Sequence, residues 1–228
     1  MKKGLIISGL ILLLVLLAIE ILLPGYYEEK VEMVFRRQVD RVEFLEVNVS
    51  THPALLLLTG RVQNGFIQAR GVEFKGLRIE SVESAYKDLI IANTPEGTKA
   101  VAGRNTFFQA TFSEEDLNNY LKAIFTQFED LNLELTPDLV SLDFKINLFG
   151  NVIELKLTGD FVVPDNHTVR FVPHSLEIGQ YKITKLVLLK ILKDIEFELE
   201  MKQYPLPLDL KEIRIEEGRL RVLGGSSQ

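Results

Sequence analysis

Gly4 to Leu23 is an apolar run interrupted only by Ser8, Gly9 and Glu20. At about 1.5 Å of rise per residue it matches the roughly 30 Å hydrocarbon core of a bilayer, so it predicts a membrane-spanning helix. Lys2 and Lys3 precede it and Glu28 and Glu29 are the first charges after it, which puts the amino end in the cytoplasm and the remainder outside. A cleaved signal peptide is the rival. Its apolar core is usually about 7–15 residues and ends in a small-x-small pair, and neither feature fits Ala18-Ile19-Glu20-Ile21-Leu22-Leu23-Pro24-Gly25. An uncleaved anchor is the expectation, with Glu20 reaching toward headgroups near its outer end and Tyr26 and Tyr27 in the aromatic belt.

Beyond Pro24-Gly25, Tyr27, Val31, Val34, Phe35, Val39 and Val42 recur at helical spacing. The period then drops to two through Leu45, Val47 and Val49, and again through Val62, Phe66 to Val72, Phe74, Leu77 and Ile79. Gly60, Gly65, Gly71 and Gly76 punctuate this glycine-bent antiparallel sheet. Asn93 to Gly97 reads as a loop and Phe108, Ala110 and Phe112 as a strand. Ser113-Glu114-Glu115-Asp116 has the spacing of a capping box ahead of a helix presenting Leu117, Tyr120, Leu121, Ile124, Phe125 and Phe128 on one face.

Leu131, Leu133 and Leu135, a Pro137-Asp138 turn, and Val140, Leu142, Phe144, Ile146 and Leu148 predict a hairpin. Two strands follow, around Ile153 to Leu157 and Val169 to Phe171. Ile183 to Ile195, if helical, is apolar around most of its girth and must be nearly enclosed. Pro205 and Pro207 precede a last hairpin with Glu217-Gly218 at its turn, and the tail from Gly224 to Gln228 reads as disordered. The organisation expected is therefore an anchor over 1–25, one α+β domain over 26–223 and a tail over 224–228. Leu58-Thr59-Gly60 and Leu157-Thr158-Gly159, with Leu77-Arg78-Ile79 and Leu176-Glu177-Ile178, raise the alternative of an internal duplication at a constant offset.

Composition narrows the function. Hydrophobic residues make up 46% of the 228 and the mean hydropathy is +0.12, but nearly all the excess lies in the first segment. Without Lys2, Lys3 and Glu20 the remainder carries 24 basic and 31 acidic residues, a net charge of −7, which argues against nucleic-acid binding. The absence of cysteine excludes disulfides, zinc–thiolate sites and iron–sulfur clusters. No P-loop, G-x-S-x-G, H-E-x-x-H or G-x-G-x-x-G is present, and His52, His167 and His174 lack metal-ligand spacing, so no catalytic residue, metal or cofactor is expected. Glu114, Glu115 and Asp116 sit where acidic residues offset a helix dipole and cap orphan amides, so they are assigned a structural role. Asn48-Val49-Ser50 and Asn166-His167-Thr168 fit the glycosylation pattern but are too short to carry weight.

Three stretches together resemble the bacterial LmeA-like family of phospholipid-binding envelope proteins. They are Leu58-Thr59-Gly60-Arg61-Val62 leading to Val72 through Ile79, Ala110 through Leu121, and Pro205-Leu206-Pro207-Leu208 with Ile213 through Leu220. The resemblance implies a fold related to the tubular (BPI-like) lipid-binding proteins: α+β, with a strongly curved antiparallel sheet wrapped around a few amphipathic helices and a cavity for acyl chains. It supplies no catalytic residues. The apolar helix faces are the candidate lining of that cavity: Val31, Phe35, Leu117, Tyr120, Leu121, Ile124, Phe125 and Phe128, with Leu186 and Leu189 from the enclosed segment.

The expected function is thus a non-enzymatic, membrane-anchored phospholipid- or other acyl-lipid-binding protein on the outer side of the cytoplasmic membrane. The alternative is an envelope scaffold or protein-interaction module without a lipid ligand. No protein partner is identifiable from the sequence. Leu55 to Leu58, after His52-Pro53-Ala54, is more apolar than the family pattern leads one to expect, and faces either a cavity or the membrane.

Overall fold

Helix α1 runs without interruption from Lys2 to Gln38 in a computed structural model that describes residues 2–94, 97–148, 151–179, 181–183, 197–201 and 208–225. The break expected at Pro24-Gly25 is absent, and anchor and first domain helix are one rod. Proline's fixed φ is already helical, and its cost of about 3 kcal/mol in a helix interior comes from a lost donor and a ring clash. Tyr27, Val31, Val34, Phe35 and Val39, all buried just beyond it, offset that cost. The helix ends at Gln38 rather than near Val42, with Arg36 and Arg37 complementing the dipole in its last turn. Val42 instead pairs with Val72 in the first strand ladder.

The strands are β1 (Arg41–Ser50), β2 (Arg61–Phe74), β3 (Leu77–Thr94), β4 (Gly97–Ser113), β5 (Glu129–Thr136), β6 (Leu139–Leu148), β7 (Asn151–Asp165), β8 (Thr168–Ile178), β9 (Tyr181–Ile183), β10 (Glu198–Glu200), β11 (Leu210–Glu216) and β12 (Arg219–Gly224). A 3₁₀ helix, Ala54–Thr59, lies between β1 and β2, and helix α2 spans Glu114–Ile124. One antiparallel sheet has the order β1-β2-β3-β4-β12-β11, the other β10-β8-β7-β6-β5 with β9 also on β8. The α+β fold is mostly strand and includes one sheet strongly curled into a half-barrel. Bulges that bend such ladders lie between β3 and β4 around Tyr86 and Ile90, and between β7 and β8 at Gly159.

Where the sequence alternates, the structure alternates: Leu131, Leu133 and Leu135 of β5 face the core and their neighbours face out. The hairpins turning at Pro137-Asp138 and Glu217-Gly218 form as expected. In β2 the buried parity changes at Gly71, where φ is +58° and a Cβ would collide with the Glu43 side chain. Gly224 and Gly225 are not tail. Gly224 closes β12 opposite Phe108 and Leu210, and the Gly225 N–H donates to the Asp209 carbonyl at 2.7 Å. Any Cβ at Gly224 would strike the Asp209 backbone, so these glycines are demanded by close approach.

The duplication is not supported by the echoed triplets. Leu58-Thr59-Gly60 closes the 3₁₀ helix, whereas Leu157-Thr158-Gly159 lies within β7. A repeat of order does exist at another spacing, because a helix followed by a four-stranded meander occurs twice, α1 with β1–β4 and α2 with β5–β8.

The joint between the sheets is α2. Ser113 caps it, its Oγ accepting from the Asp116 N–H at 3.1 Å and donating to the Asp116 carboxylate at 2.6 Å. Glu114 accepts from the Leu135 N–H at 2.7 Å, and the Leu135 carbonyl accepts from Gly218 N–H at 2.9 Å. Asn118, buried, donates to the Leu133 carbonyl at 2.8 Å and accepts from the Leu133 N–H at 2.7 Å. The outward edge of β5 is thereby satisfied by side chains of α2 and by the β11–β12 turn, and an exposed strand edge is avoided.

Candidate functional site

The apolar side chains of α1 from Ile6 to Leu22 stand largely exposed, and the helix is long and apolar enough to cross a membrane, a test that a signal sequence also meets. Its next turns enter the core, Val31 and Phe35 among them, and pack chiefly against β1 and the 3₁₀ helix. At the changeover Glu20 reaches across to the loop after β1. Its carboxylate accepts from the Ala54 N–H at 2.8 Å and lies 3.2 Å from His52 Nδ1. Glu20, expected to reach toward headgroups, has its carboxylate turned to the domain as a strut between helix and loop. Just beside it, Val15, Ala18, Ile19, Leu22 and Tyr26 line an open, almost wholly apolar groove of about 380 Å³ closed on its other side by Leu58.

The expected lining residues fall into separate groups. Val31 and Phe35 on α1 and Leu117 and Leu121 on α2 are packed on all sides in the common apolar core. Tyr120 is half-buried against the same core. Helix α2 ends at Ile124, so Phe125 and Phe128 are not on its face as expected. Phe125 is its C-cap, and Phe128 follows in a turn that places its ring 4.6 Å from that of Phe144 in β6 and 5.6 Å from that of Phe125. Pairing with Phe144 rewards leaving the helix. Ile124 is consequently 44% exposed. Leu186 and Leu189, with the segment Ile183 to Ile195 after its first residue, lie outside the described residues.

Phe144 also floors, with Leu155, an open pocket of about 400 Å³ rimmed by charge. Lys145 bonds Asp130 at 2.8 Å and lies 3.6 Å from Glu154, and Lys156 lies 3.6 Å from Asp143. The hydrogen bond from Lys145 holds the Asp130 carboxyl below its ordinary value, and in turn raises the Lys145 ammonium. Exposed pairs of this kind contribute little to stability and leave the rim with mixed sign.

A third feature had no sequence signal. Ser84, Tyr86 and Asn105 are buried polar side chains on β3 and β4, with Tyr86 paired opposite Asn105. Burial pushes the Tyr86 hydroxyl up to about 12. Tyr86 borders a cavity of about 460 Å³ shared with Glu28, Asn48, Asn64 and Phe66. Only the pairing of two long strands brings these residues together. The acidic cluster is structural, but its carboxylates bond other elements rather than the amides of α2: Glu114 accepts from the Leu135 N–H, and Asp116 accepts from the Ser113 hydroxyl and from Arg78. Among the described residues no group of three or more His, Asp or Glu side chains is placed to hold a metal.

These features define an α+β domain whose curled sheet encloses an apolar interior and whose first helix extends, apolar and exposed, beyond it. The chain belongs to the LmeA-like phospholipid-binding family, whose model matches residues 20–225. That span takes in the buried half of α1, both sheets and α2. No curated protein and no solved structure matches the chain.

Proposed function

We propose that this protein is a non-catalytic phospholipid-binding protein of the bacterial envelope, anchored by the first half of α1 in the cytoplasmic membrane with its domain on the outer face. The observation that carries the lipid assignment is the family match over residues 20–225. The anchor rests on the exposed apolar half of α1, and the sidedness on Lys2 and Lys3. A continuous helix through Pro24 and Gly25 leaves no slack, so the domain handles lipid at its own membrane.

Within the domain, acyl chains are held by the apolar helix faces, and the residues with surface left for a ligand are Ile124, Phe125, Phe128 and Tyr120. Burying a sixteen-carbon chain is worth about 12 kcal/mol against water at about 0.8 kcal/mol per methylene, but a bilayer offers nearly the same. Exchange between the two is close to neutral, which suits a carrier or sensor. Delipidated full-length protein in detergent should acquire labelled phospholipid from vesicles, and protease added outside spheroplasts should digest the domain. Failure to acquire lipid overturns the binding assignment, and protection from protease overturns the sidedness.

A further inference from the structure

We propose that the 3₁₀ helix Ala54–Thr59 is a second membrane contact, a tip whose leucines lie among the phospholipid acyl chains of the leaflet from which α1 emerges. The proposal rests on α1 spanning that membrane. The tip's geometry comes from its fold: at three residues per turn, Ala54 and Leu57 turn inward and Leu55, Leu56 and Leu58 outward. Ala54 and Leu57 are at most 1% exposed, while Leu55, Leu56 and Leu58 are 37%, 38% and 64% exposed. The leucines are held out on a turn that is itself fixed to the core.

Apolar surroundings tolerate backbone only where its polar groups are satisfied. Here the Ala54 N–H donates to Glu20, the Leu56 N–H to the Pro53 carbonyl at 3.0 Å, and the Thr59 hydroxyl to the Leu56 carbonyl at 2.7 Å. Gly60, at φ +79°, ends the turn by donating to the Leu57 carbonyl at 2.8 Å and accepting from the Ile91 N–H at 2.9 Å. A Cβ there would press on the Ile91 carbonyl oxygen, so the cap requires glycine.

Depth is set by α1. Helical side chains lean toward the amino end, so the group that Glu20 grips sits at its level or deeper. With the span closing at Leu23, Glu20 lies about 4.5 Å inside that boundary. Leu58 continues the apolar surface of the span, because it closes the groove formed by Val15, Ile19 and Leu22. Lys30, with its Nζ 4.7 Å from the Tyr26 ring centre and 5.1 Å from that of Tyr27, falls about 10 Å beyond Leu23, at headgroup height. Two contacts of this kind hold the domain in one orientation and bring the α1 groove against lipid.

The chain has no cysteine, so single-cysteine variants of the full-length protein report cleanly. Leu56→Cys, Leu58→Cys, Val15→Cys and, on the exposed β5–β6 turn, Leu139→Cys would be labelled with an environment-sensitive fluorophore. Each is reconstituted in vesicles of phosphatidylcholine and phosphatidylglycerol and quenched with acyl-brominated lipid or aqueous iodide. Positions 56 and 58 should be quenched several-fold more by the brominated lipid than position 139, as position 15 is. Lipid quenching at 15 with iodide quenching at 56 and 58 overturns the tip alone. Protection of 56 and 58 from both quenchers in a manner that grows with protein density assigns the leucines to a second copy and also overturns it. No lipid quenching at 15 means α1 does not span, and the proposal fails with that premise.

Discussion

Replacing Asn118 by alanine tests whether α2 is the joint of the fold. The Asn118 amide supplies both partners of Leu133, whose N–H and carbonyl face away from β6 because β5 is the end strand of its sheet. Leu133 is fully buried, so alanine strands one donor and one acceptor where water does not reach. Each costs about 1–3 kcal/mol, while Asn→Ala inside a helix returns about 0.6 kcal/mol of propensity. The net expectation is about 3 kcal/mol of destabilisation. Asn119, next along the same helix and exposed, provides the control. Asn119→Ala should be neutral or slightly stabilising. Thermal unfolding of the full-length protein in one detergent, followed by circular dichroism, reads the difference. Amide exchange should also show β5 losing protection before β6 and β7 in Asn118→Ala. Equal melting of the two variants, with Leu133 still protected, would refute the assignment of α2 as the element that closes the β5 edge.

Ile124→Asp, at a 44% exposed site, should leave the melt intact and reduce copurifying phospholipid, whereas Leu121→Asp, fully buried, should unfold the domain and Leu121→Met should preserve both. A Leu121→Asp protein that melts like wild type would contradict the packing described. Tyr86 makes stability depend on alkaline pH: its folded value is about 12 and an unfolded tyrosine titrates near 10. Stability is thus complete below about pH 10 and falls as pH rises toward about 12, by roughly 3 kcal/mol in all, because the unfolded chain gives up its proton first. Tyr86→Phe should flatten that fall, and an unchanged slope would remove Tyr86 from the account. Phe35→Ala should cost about 3–5 kcal/mol as a buried cavity, measured by the same melt, and a loss below about 1 kcal/mol would show that α1 is not part of the core.

Local signals were legible and long-range ones were not. Alternation at Leu131 to Leu135, the Ser113 cap and the two hairpin turns depend on neighbours within a few residues, and each forms as its pattern predicts. Four consecutive leucines carry no period, so the 3₁₀ helix and the outward side of Leu55, Leu56 and Leu58 emerge only from contacts with α1 and β3. Pro24 is locally a breaker, and only the burial of residues beyond it explains a continuous α1. Gly224 and Gly225 resemble a flexible tail until Asp209 is brought against them. Of the residues proposed to line the site, Val31, Phe35, Leu117 and Leu121 were readable as inward-facing helix positions. The departure of Phe125 and Phe128 from α2 depended on Phe144, and the buried Ser84, Tyr86 and Asn105 on pairing across β3 and β4.

The most direct measurement is the lipid content of the full-length protein itself. Protein purified from its native membrane in mild detergent, washed free of bulk lipid and extracted for mass spectrometry should release one phospholipid class in near-stoichiometric amount, and release much less from folded Ile124→Asp. Only trace lipid in the proportions of the surrounding membrane, identical in wild type and variant, would contradict the account.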